Sequence, residues 1–280
     1  LINESALLAA RKGLSAVTIA EMEEARDKVR WGRERRSLAL SEDEKKTTAY
    51  HEAGHAILLA LLEHVDPLHK VTIIPRGPYL GAAFHLPKED TYHFHKRQGV
   101  EQLVVTMGGR VAEEIIFGDV TSGASGDIRQ ATHLARQMVC EWGMSDELGM
   151  VEYGAGQGGE VFLARDISQQ RNYSEATAQK IDAEIKRVID RAYTEAKRIL
   201  VERRDVLEKI AEALLEYETL EGSHIDDIIK YGEMKNPPSS PRPPSLPDEE
   251  PKKAKKEVSN GAEQDDNDGP LAGDVVGAPA

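Results

Sequence analysis

Two histidines and a glutamate at short spacing are the residues of this sequence best suited to do chemistry. His51 and His55 lie four positions apart in a run that reads as helix. Positions i and i+4 share one face of a helix, so two imidazoles can bind one metal ion. Glu52 stands beside them, where a carboxylate could take a proton from a metal-bound water. The pattern therefore predicts a zinc hydrolase site; the alternative is a chance pair of histidines on a buried helix.

A catalytic zinc ion usually has three protein ligands and one open position, so a third ligand must come from elsewhere in the chain. A metzincin would have Gly and His where this chain has Leu58 and Leu61. A thermolysin-like enzyme would supply a glutamate from a second helix, but 71–75 reads as strand and contains none. The residue types leave several candidates for the third ligand open, which are Asp127, the neighbours Glu113 and Glu114, and the pair His93 and His95. Geometry favours Asp127, because the backbone in the first turn of a helix holds a carboxylate in a fixed direction.

The elements around these residues predict a mainly α fold with a small β-hairpin or sheet. We expect the metal-binding helix to begin at a cap formed by Thr47 or Thr48 and to continue through Ala60. Gly54 costs about 1 kcal/mol relative to Ala inside a helix, which indicates that a neighbour needs the room. Two β-like runs follow at 71–74 and 80–86. Their edge could receive an extended peptide, or the hairpin could be purely structural.

The rest of the chain reads mostly as helix. Ser125 is a candidate N-cap that would place Asp127 in the first turn of its helix. Residues 1–30 predict two helices, the second starting with a capping box formed by Thr18 and Glu21. The other predicted helices are 98–117, a long region from Ser174 to Tyr217 with a break near 203–205, and a short one at 224–229.

Composition excludes several classes of protein. The chain has 280 residues, 40% hydrophobic and 30% charged, with a net charge of −13, which argues against nucleic acid as the main partner. No apolar run is long enough to span a membrane, and the start lacks a signal-peptide pattern. One cysteine, Cys140, excludes an internal disulfide and a thiolate zinc site. The chain begins without Met, which suggests a piece of a longer protein.

Two further segments are not interpreted as functional sites. Residues 154–159 match G-x-G-x-x-G, but no βαβ pattern surrounds them, so we interpret them as a loop and not a nucleotide site. Residues 236–280 hold nine of the 13 prolines and no aromatic residue. Such a segment buries too little apolar surface to fold, and we predict a disordered, Pro-rich, acidic tail.

The sequence resembles the peptidase domain of the FtsH family of ATP-dependent zinc metalloproteases. The resemblance covers roughly 1–232 and is carried by several motifs in order. They are His51-Glu52-Ala53-Gly54-His55, Val71-Thr72-Ile73-Ile74-Pro75-Arg76-Gly77, Gly108-Gly109-Arg110-Val111-Ala112-Glu113-Glu114, Thr121-Ser122-Gly123-Ala124-Ser125-Gly126-Asp127-Ile128 and Tyr173-Ser174-Glu175-Ala176-Thr177-Ala178.

The resemblance implies a site and a domain division. It makes Asp127 the third zinc ligand beside His51 and His55. The family commonly has Asn where this chain has Gly126, which leaves the ligand in place but could loosen the loop. Residues 1–30 would be the end of an AAA+ lid, 31–46 a linker, 47–235 the zinc metallopeptidase domain and 236–280 the tail.

The resemblance also implies a larger machine. Family members have transmembrane segments and an ATPase core upstream and form homohexamers. ATP and Mg²⁺ would bind only in that upstream part, since these 280 residues contain no G-x-x-x-x-G-K-[ST]. The substrates would be unfolded or membrane proteins fed through the ring. The parent would lie in a bacterial or organellar inner membrane with the peptidase domain on the cytoplasmic side, so the chain would contact a membrane only through missing segments.

In this interpretation Glu52 accepts a proton from the attacking water and returns it to the leaving amine. Two alternatives remain. A catalytically silent scaffold of the same fold would only hold an oligomer together, and it would be free to lose Glu52. A purely structural zinc site would need four protein ligands, of which the sequence offers three good ones.

Overall fold

The computed structural model describes residues 1–36, 38, 40–77, 79–87, 92–153 and 173–238. The predicted fold class is confirmed, since helices dominate and the strands form one small sheet. The helices are α1 Ile2–Arg11, α2 Ile19–Trp31, α3 Glu42–Leu61, α4 Lys96–Phe117, α5 Ser125–Arg136, α6 Glu175–Glu202, α7 Arg204–Tyr217 and α8 Gly222–Tyr231. The strands are β1 Leu68–Thr72, β2 Ala82–His85 and β3 Thr219–Glu221. A 3₁₀ turn, Ser122–Ala124, precedes α5, and a π-helical turn, Gln137–Glu141, follows it.

Helix α3 lies at the centre of the helical layer. It packs against α4 on one side and α7 on another, and α4 packs in turn against α6. Nearly every side chain from Thr48 to Leu59 is buried, with Ala53, Ala56, Ile57 and Leu58 fully enclosed. A helix covered on most faces holds its polar side chains rigidly, because its neighbours leave each of them little alternative space. The two histidines are carried by this helix.

The start of α3 differs from the sequence prediction. Ser41 is the N-cap, and its hydroxyl accepts a hydrogen bond from the Glu44 amide while the Glu44 carboxylate reaches back to Ser41. The predicted cap at Thr47 or Thr48 is wrong, because both hydroxyls donate to carbonyls four residues earlier, as threonines inside a helix do. Residues 42–46, assigned to the linker, therefore belong to the helix that carries the histidines.

The predicted pair of strands is present within an antiparallel sheet of order β2-β1-β3. Strand β1 begins three residues and ends two residues earlier than predicted, and β2 is shorter than predicted. Strand β3 was not predicted at all. Strand β3 is joined to α7 by Glu218, whose φ of 59° is the left-handed conformation that ends a helix. Its carbonyl accepts hydrogen bonds from the Ile73 amide and the Thr72 hydroxyl, which ties α7 to β1.

The remaining helices follow the sequence pattern with small differences. The break in the long helical region falls at Arg203, between α6 and α7, as predicted. Asp127 lies in the first turn of α5 as predicted, but Ser125 is the first helical residue and not the cap. The side-chain cap belongs to the preceding 3₁₀ turn, where the Thr121 hydroxyl accepts a hydrogen bond from the Gly123 amide.

The two predicted N-terminal helices are confirmed, including the capping box of Thr18 and Glu21. Helix α2 is tied to the sheet by an ion pair between Asp27, which is fully buried, and Lys70 of β1. The ring of Trp31 packs against the ring of Phe84 of β2, with centroids 4.1 Å apart and planes tilted by 46°.

Within the described residues, no helix has the length and apolar character needed to cross a membrane. The loop predicted at 154–159 lies outside the described residues, as does the predicted tail from 239 onward.

Candidate metal centre

Helices α3 and α5 bring three side chains to one point. The Nε2 atoms of His51 and His55 are 3.2 Å apart. Asp127, from the first turn of α5, places its Oδ2 3.2 Å from Nε2 of His51 and 3.6 Å from Nε2 of His55. Among the described residues, this is the one group of His, Cys, Asp or Glu side chains arranged to hold a metal ion. The structure thus unites the two histidines with the aspartate 72 positions further along the chain than His55.

The triangle of donor atoms fits a zinc ion. Two ligands that are each about 2.1 Å from a tetrahedral ion lie about 3.4 Å from one another. The three edges observed here, 3.2, 3.2 and 3.6 Å, match one face of such a tetrahedron. Two imidazole nitrogens and one carboxylate oxygen are also donors that zinc accepts, and three of them leave a fourth position open.

Helix α4 fixes the orientation of both imidazole rings. The Nδ1–H of His51 donates to Oε1 of Glu113 at 2.7 Å, and the Nδ1–H of His55 donates to the carbonyl oxygen of Val105 at 2.8 Å. Each ring therefore turns its Nε2 lone pair toward Asp127. The other carboxylate oxygen of Glu113 accepts from the Thr121 amide at 2.8 Å, so Glu113 also fastens the loop before α5.

The pKa values of His51 and Asp127 reflect the three acceptor atoms that face one another in the donor triangle. Burial lowers the pKa of His51, but hydrogen bonds with Asp127 and Glu113 outweigh it and raise that pKa to about 10. Burial raises the pKa of Asp127, yet its bonds with His51 and His55 hold it well below its usual range. The three facing acceptor atoms thus favour an additional proton on His51. A cation bound between them would supply the same positive charge.

Glu52 lies next to this group on the same helix and has no hydrogen-bond partner among the described residues. It is 6% exposed, and burial raises its pKa while the two histidines lower it. A carboxyl group whose pKa is shifted toward neutrality is suited to accept and release a proton. Gly81, just before β2, packs against it so closely that a Cβ there would lie 2.8 Å from Cγ and 2.9 Å from Oε1 of Glu52.

The other sequence candidates lie elsewhere. Glu114 turns away from the histidines and accepts hydrogen bonds from the Tyr193 hydroxyl and the Lys197 ammonium, each at 2.6 Å. His93 and His95 are exposed in the segment before α4. Glu113 is close to the site but accepts a hydrogen bond from Nδ1 of His51 and does not face its Nε2, so it does not belong to the donor triangle.

Sequence reasoning missed the backbone partners of the site. The Val105 carbonyl and the Thr121 amide belong to residues whose side chains carry no relevant signal. The adjacent glycines at 108 and 109 were a visible signal, since two glycines inside a helix indicate close neighbours. Gly108 lies against Gly54 where α3 crosses α4, which explains the room that Gly54 was expected to leave.

Comparison with known proteins places this arrangement in context. Residues 38–228 match the model of peptidase family M41. The chain is 59% identical over 250 residues to the ATP-dependent zinc metalloprotease FtsH of Akkermansia muciniphila, covering 89% of this chain and 31% of that protein. It is 55% identical over 280 residues to ATP-dependent zinc metalloprotease FtsH 2 of Methylacidiphilum infernorum, covering all of this chain and 43% of that protein. The chain thus spans about a third to two fifths of these relatives.

Proposed function

Because this chain belongs to peptidase family M41, we propose that it is the metallopeptidase portion of a zinc protease, in which His51, His55 and Asp127 hold the zinc ion and Glu52 is the general base. The observation that supports this most is the donor triangle, whose edges of 3.2–3.6 Å suit one tetrahedral ion. When bound, zinc lowers the pKa of a coordinated water and polarises a carbonyl group.

The protein's own residues divide the remaining work. Glu113 and the Val105 carbonyl hold the protons on Nδ1 of His51 and His55, so both Nε2 atoms are free to bind metal. Glu52 accepts the proton of the attacking water on its carboxylate and later delivers it to the nitrogen of the leaving amine. Its burial suits it to both steps, and among the described residues no hydrogen bond fixes its carboxylate.

The substrate is an unfolded polypeptide that binds in an extended conformation along β2. This strand pairs with β1 alone, so within the described residues its outer edge offers unpaired backbone groups. A peptide added to that edge would form main-chain hydrogen bonds whatever its sequence. The contact between Gly81 and Glu52 supports this placement, because it joins the start of β2 to the general base.

In the parent protein this domain works with an ATPase. The relatives that carry the name ATP-dependent zinc metalloprotease are more than twice as long as the matched region. We propose that an upstream ATPase ring, a homohexamer anchored in a bacterial or organellar inner membrane, unfolds substrates and feeds them to this domain on its cytoplasmic side. Residues 1–30 would then be the end of the lid of that ATPase, and 31–41, before α3 begins, the connection to the peptidase.

The test is hydrolysis of a short unstructured peptide, which needs no unfolding by ATP. The 280-residue chain should cleave it, lose activity with a zinc chelator and regain activity when zinc is restored. A catalytically silent scaffold predicts a folded, zinc-loaded protein without cleavage. A structural zinc site predicts zinc that resists the chelator and a fourth protein ligand; either result would reject the proposal.

A further inference from the structure

Helix α4 supports both histidines along a single stripe. Val105, Gly109 and Glu113 are spaced four residues apart, so they lie on one face of the helix, the face turned toward α3. The first supplies a carbonyl to His55 and the last a carboxylate to His51. Gly109, between them, supplies no polar group. We call these three residues the α4 stripe.

The ring of His51 rests on the backbone of Gly109. A Cβ added at this glycine would lie closer than 3.0 Å to Cε1, Nε2 and Cδ2, which form the edge of the ring that faces Asp127. Ordinary van der Waals contact begins at 3.4 Å. The metal-facing edge of His51 therefore occupies the space that any side chain at position 109 would need.

We propose that Gly109 is a positioning residue that sets the place of the His51 Nε2 atom in the metal site. This inference rests on the proposed zinc site. Any side chain at 109 would push the ring, and with it the Nε2 atom, out of the donor triangle. The requirement at 109 is thus for the absence of a side chain, and it is separate from the requirement at Gly108, where the neighbour is the backbone of Gly54.

The ring has no easy way to give room. Its Nδ1–H is bonded to Glu113, which is itself 1% exposed and held by the Thr121 amide. Its Nε2 already lies 3.2 Å from both His55 and Asp127. A ring displaced from Gly109 must therefore break the bond to Glu113 or leave the triangle, and either movement weakens metal binding.

The first measurement is zinc affinity of Gly109→Ala by competition with a chromophoric chelator. We expect the dissociation constant to rise by about 10–100-fold, the cost typical of losing the support of a metal-binding histidine. The matched control is Gly99→Ala on the same helix, where the new Cβ would meet the sulfur and methyl of Met138, the far end of a flexible side chain, and a ring carbon of Phe94 at 3.1 Å. The control should bind zinc as the wild type does. Equal losses in both variants, or no loss in Gly109→Ala, would overturn the proposal.

The second measurement is a double-mutant cycle of thermal unfolding, carried out in the presence of a chelator. Gly109→Ala should lower the unfolding midpoint of the wild type but leave or raise that of His51→Ala, because the clash is gone and alanine favours helix. If Gly109→Ala alone does not fold, the double variant should. An equal loss in both backgrounds, or a double variant that does not fold, contradicts the proposal. A wild-type chain without zinc affinity would reject the proposed function instead, since the cycle needs no metal.

Discussion

At the scale of single residues, the site is a set of acceptors arranged so that only a cation satisfies it. The Nδ1 protons of His51 and His55 are committed to Glu113 and to the Val105 carbonyl, which leaves the two Nε2 atoms and an oxygen of Asp127 facing one another. Glu52 stands apart from this set, without a hydrogen bond among the described residues. The three donor residues would hold the metal and Glu52 would move a proton, so substitutions of the two kinds of group should have different effects.

Glu52→Gln should abolish peptide hydrolysis while the protein keeps its zinc. Glutamine preserves the shape of the side chain but cannot accept the proton, and loss of a general base alone costs about 10²–10⁴ in rate. The measurement is turnover of an unstructured peptide by purified protein whose zinc content has been determined. Near-normal turnover of the zinc-loaded variant would rule out Glu52 as the base.

Substitutions at three carboxylates should separate a ligand from its support. Asp127→Ala should lose zinc on dialysis, because two histidines remain as the only donors of the triangle. Glu113→Ala should keep zinc but bind it about 10–100-fold more weakly, since His51 loses its orienting partner. Glu114→Ala, whose contacts are with Tyr193 and Lys197, serves as the control and should bind zinc normally. Elemental analysis at equal protein concentration decides; full occupancy in Asp127→Ala would refute its role as ligand.

At the scale of elements, the close crossing of α3 and α4 is what brings histidines and supporting residues together. Gly54 and Gly108 lie backbone to backbone at this crossing, and the α4 stripe then lies directly against the histidine face of α3. Two helices separated by ordinary side chains would stand too far apart for the Val105 carbonyl to reach an imidazole.

Gly54→Ala should therefore destabilise the protein even though alanine is the better helix former. The added Cβ would lie closer than 3.0 Å to the Gly108 carbonyl oxygen and 2.8 Å from the Cβ of Ala112. Forcing an extra methyl group into a close-packed contact costs about 1–3 kcal/mol in free energy of unfolding. Gly126→Ala is the control, because no described residue has an atom within 4 Å of the added Cβ, and we expect a gain of up to about 1 kcal/mol. Denaturant unfolding of both variants tests this expectation. A Gly54→Ala variant as stable as the wild type would contradict the close contact of α3 and α4 at Gly54.

At the scale of the whole molecule, helix α2 is attached to the sheet through side-chain contacts, and α1 packs against α2. The buried ion pair of Asp27 and Lys70 joins α2 to β1, and the contact between the rings of Trp31 and Phe84 joins it to β2. Because β2 begins next to Gly81 and Glu52, this attachment connects the N-terminal helices to the proposed substrate edge.

Asp27→Ala should loosen α2 from the sheet, since removing one partner of a buried ion pair costs about 3–5 kcal/mol. We expect limited proteolysis to cut within 32–41 faster than in the wild type. Glu23→Ala, an exposed position on the same helix, should be cut at the wild-type rate. If both variants were cut alike, the ion pair would not be what holds α2.

Deleting the predicted tail, 236–280, should change neither the melting temperature nor peptide hydrolysis beyond experimental error. Its composition provides too little apolar surface for a core. Differential scanning calorimetry and the peptide assay compare the shortened and complete chains. A fall of several degrees in melting temperature would show that the tail contributes to the folded domain.

The amino-acid sequence alone determined those features that depend on neighbours along the chain. The four-residue spacing of His51 and His55 places both on one face of a helix through helical periodicity alone. Gly54 indicated a close neighbour, because glycine destabilises the interior of a helix. The same local logic located most helices and the break at Arg203. It misplaced the start of α3, although Ser41 and Glu44 have the capping-box spacing that Thr47 and Thr48 lack.

Only the tertiary structure decided which distant groups meet. Residue types left Asp127, Glu113, Glu114, His93 and His95 open as partners of the histidines, and the packing of α5 and α4 against α3 brought the first into the triangle and the second behind a ring. Glu113 and Glu114 are neighbours, and the rotation of α4 about its axis turns one inward and the other toward α6. Strand β3 has three residues and exists through pairing with β1, far away in the chain. Such contacts depend on how helices and strands pack in three dimensions, which local propensity does not encode.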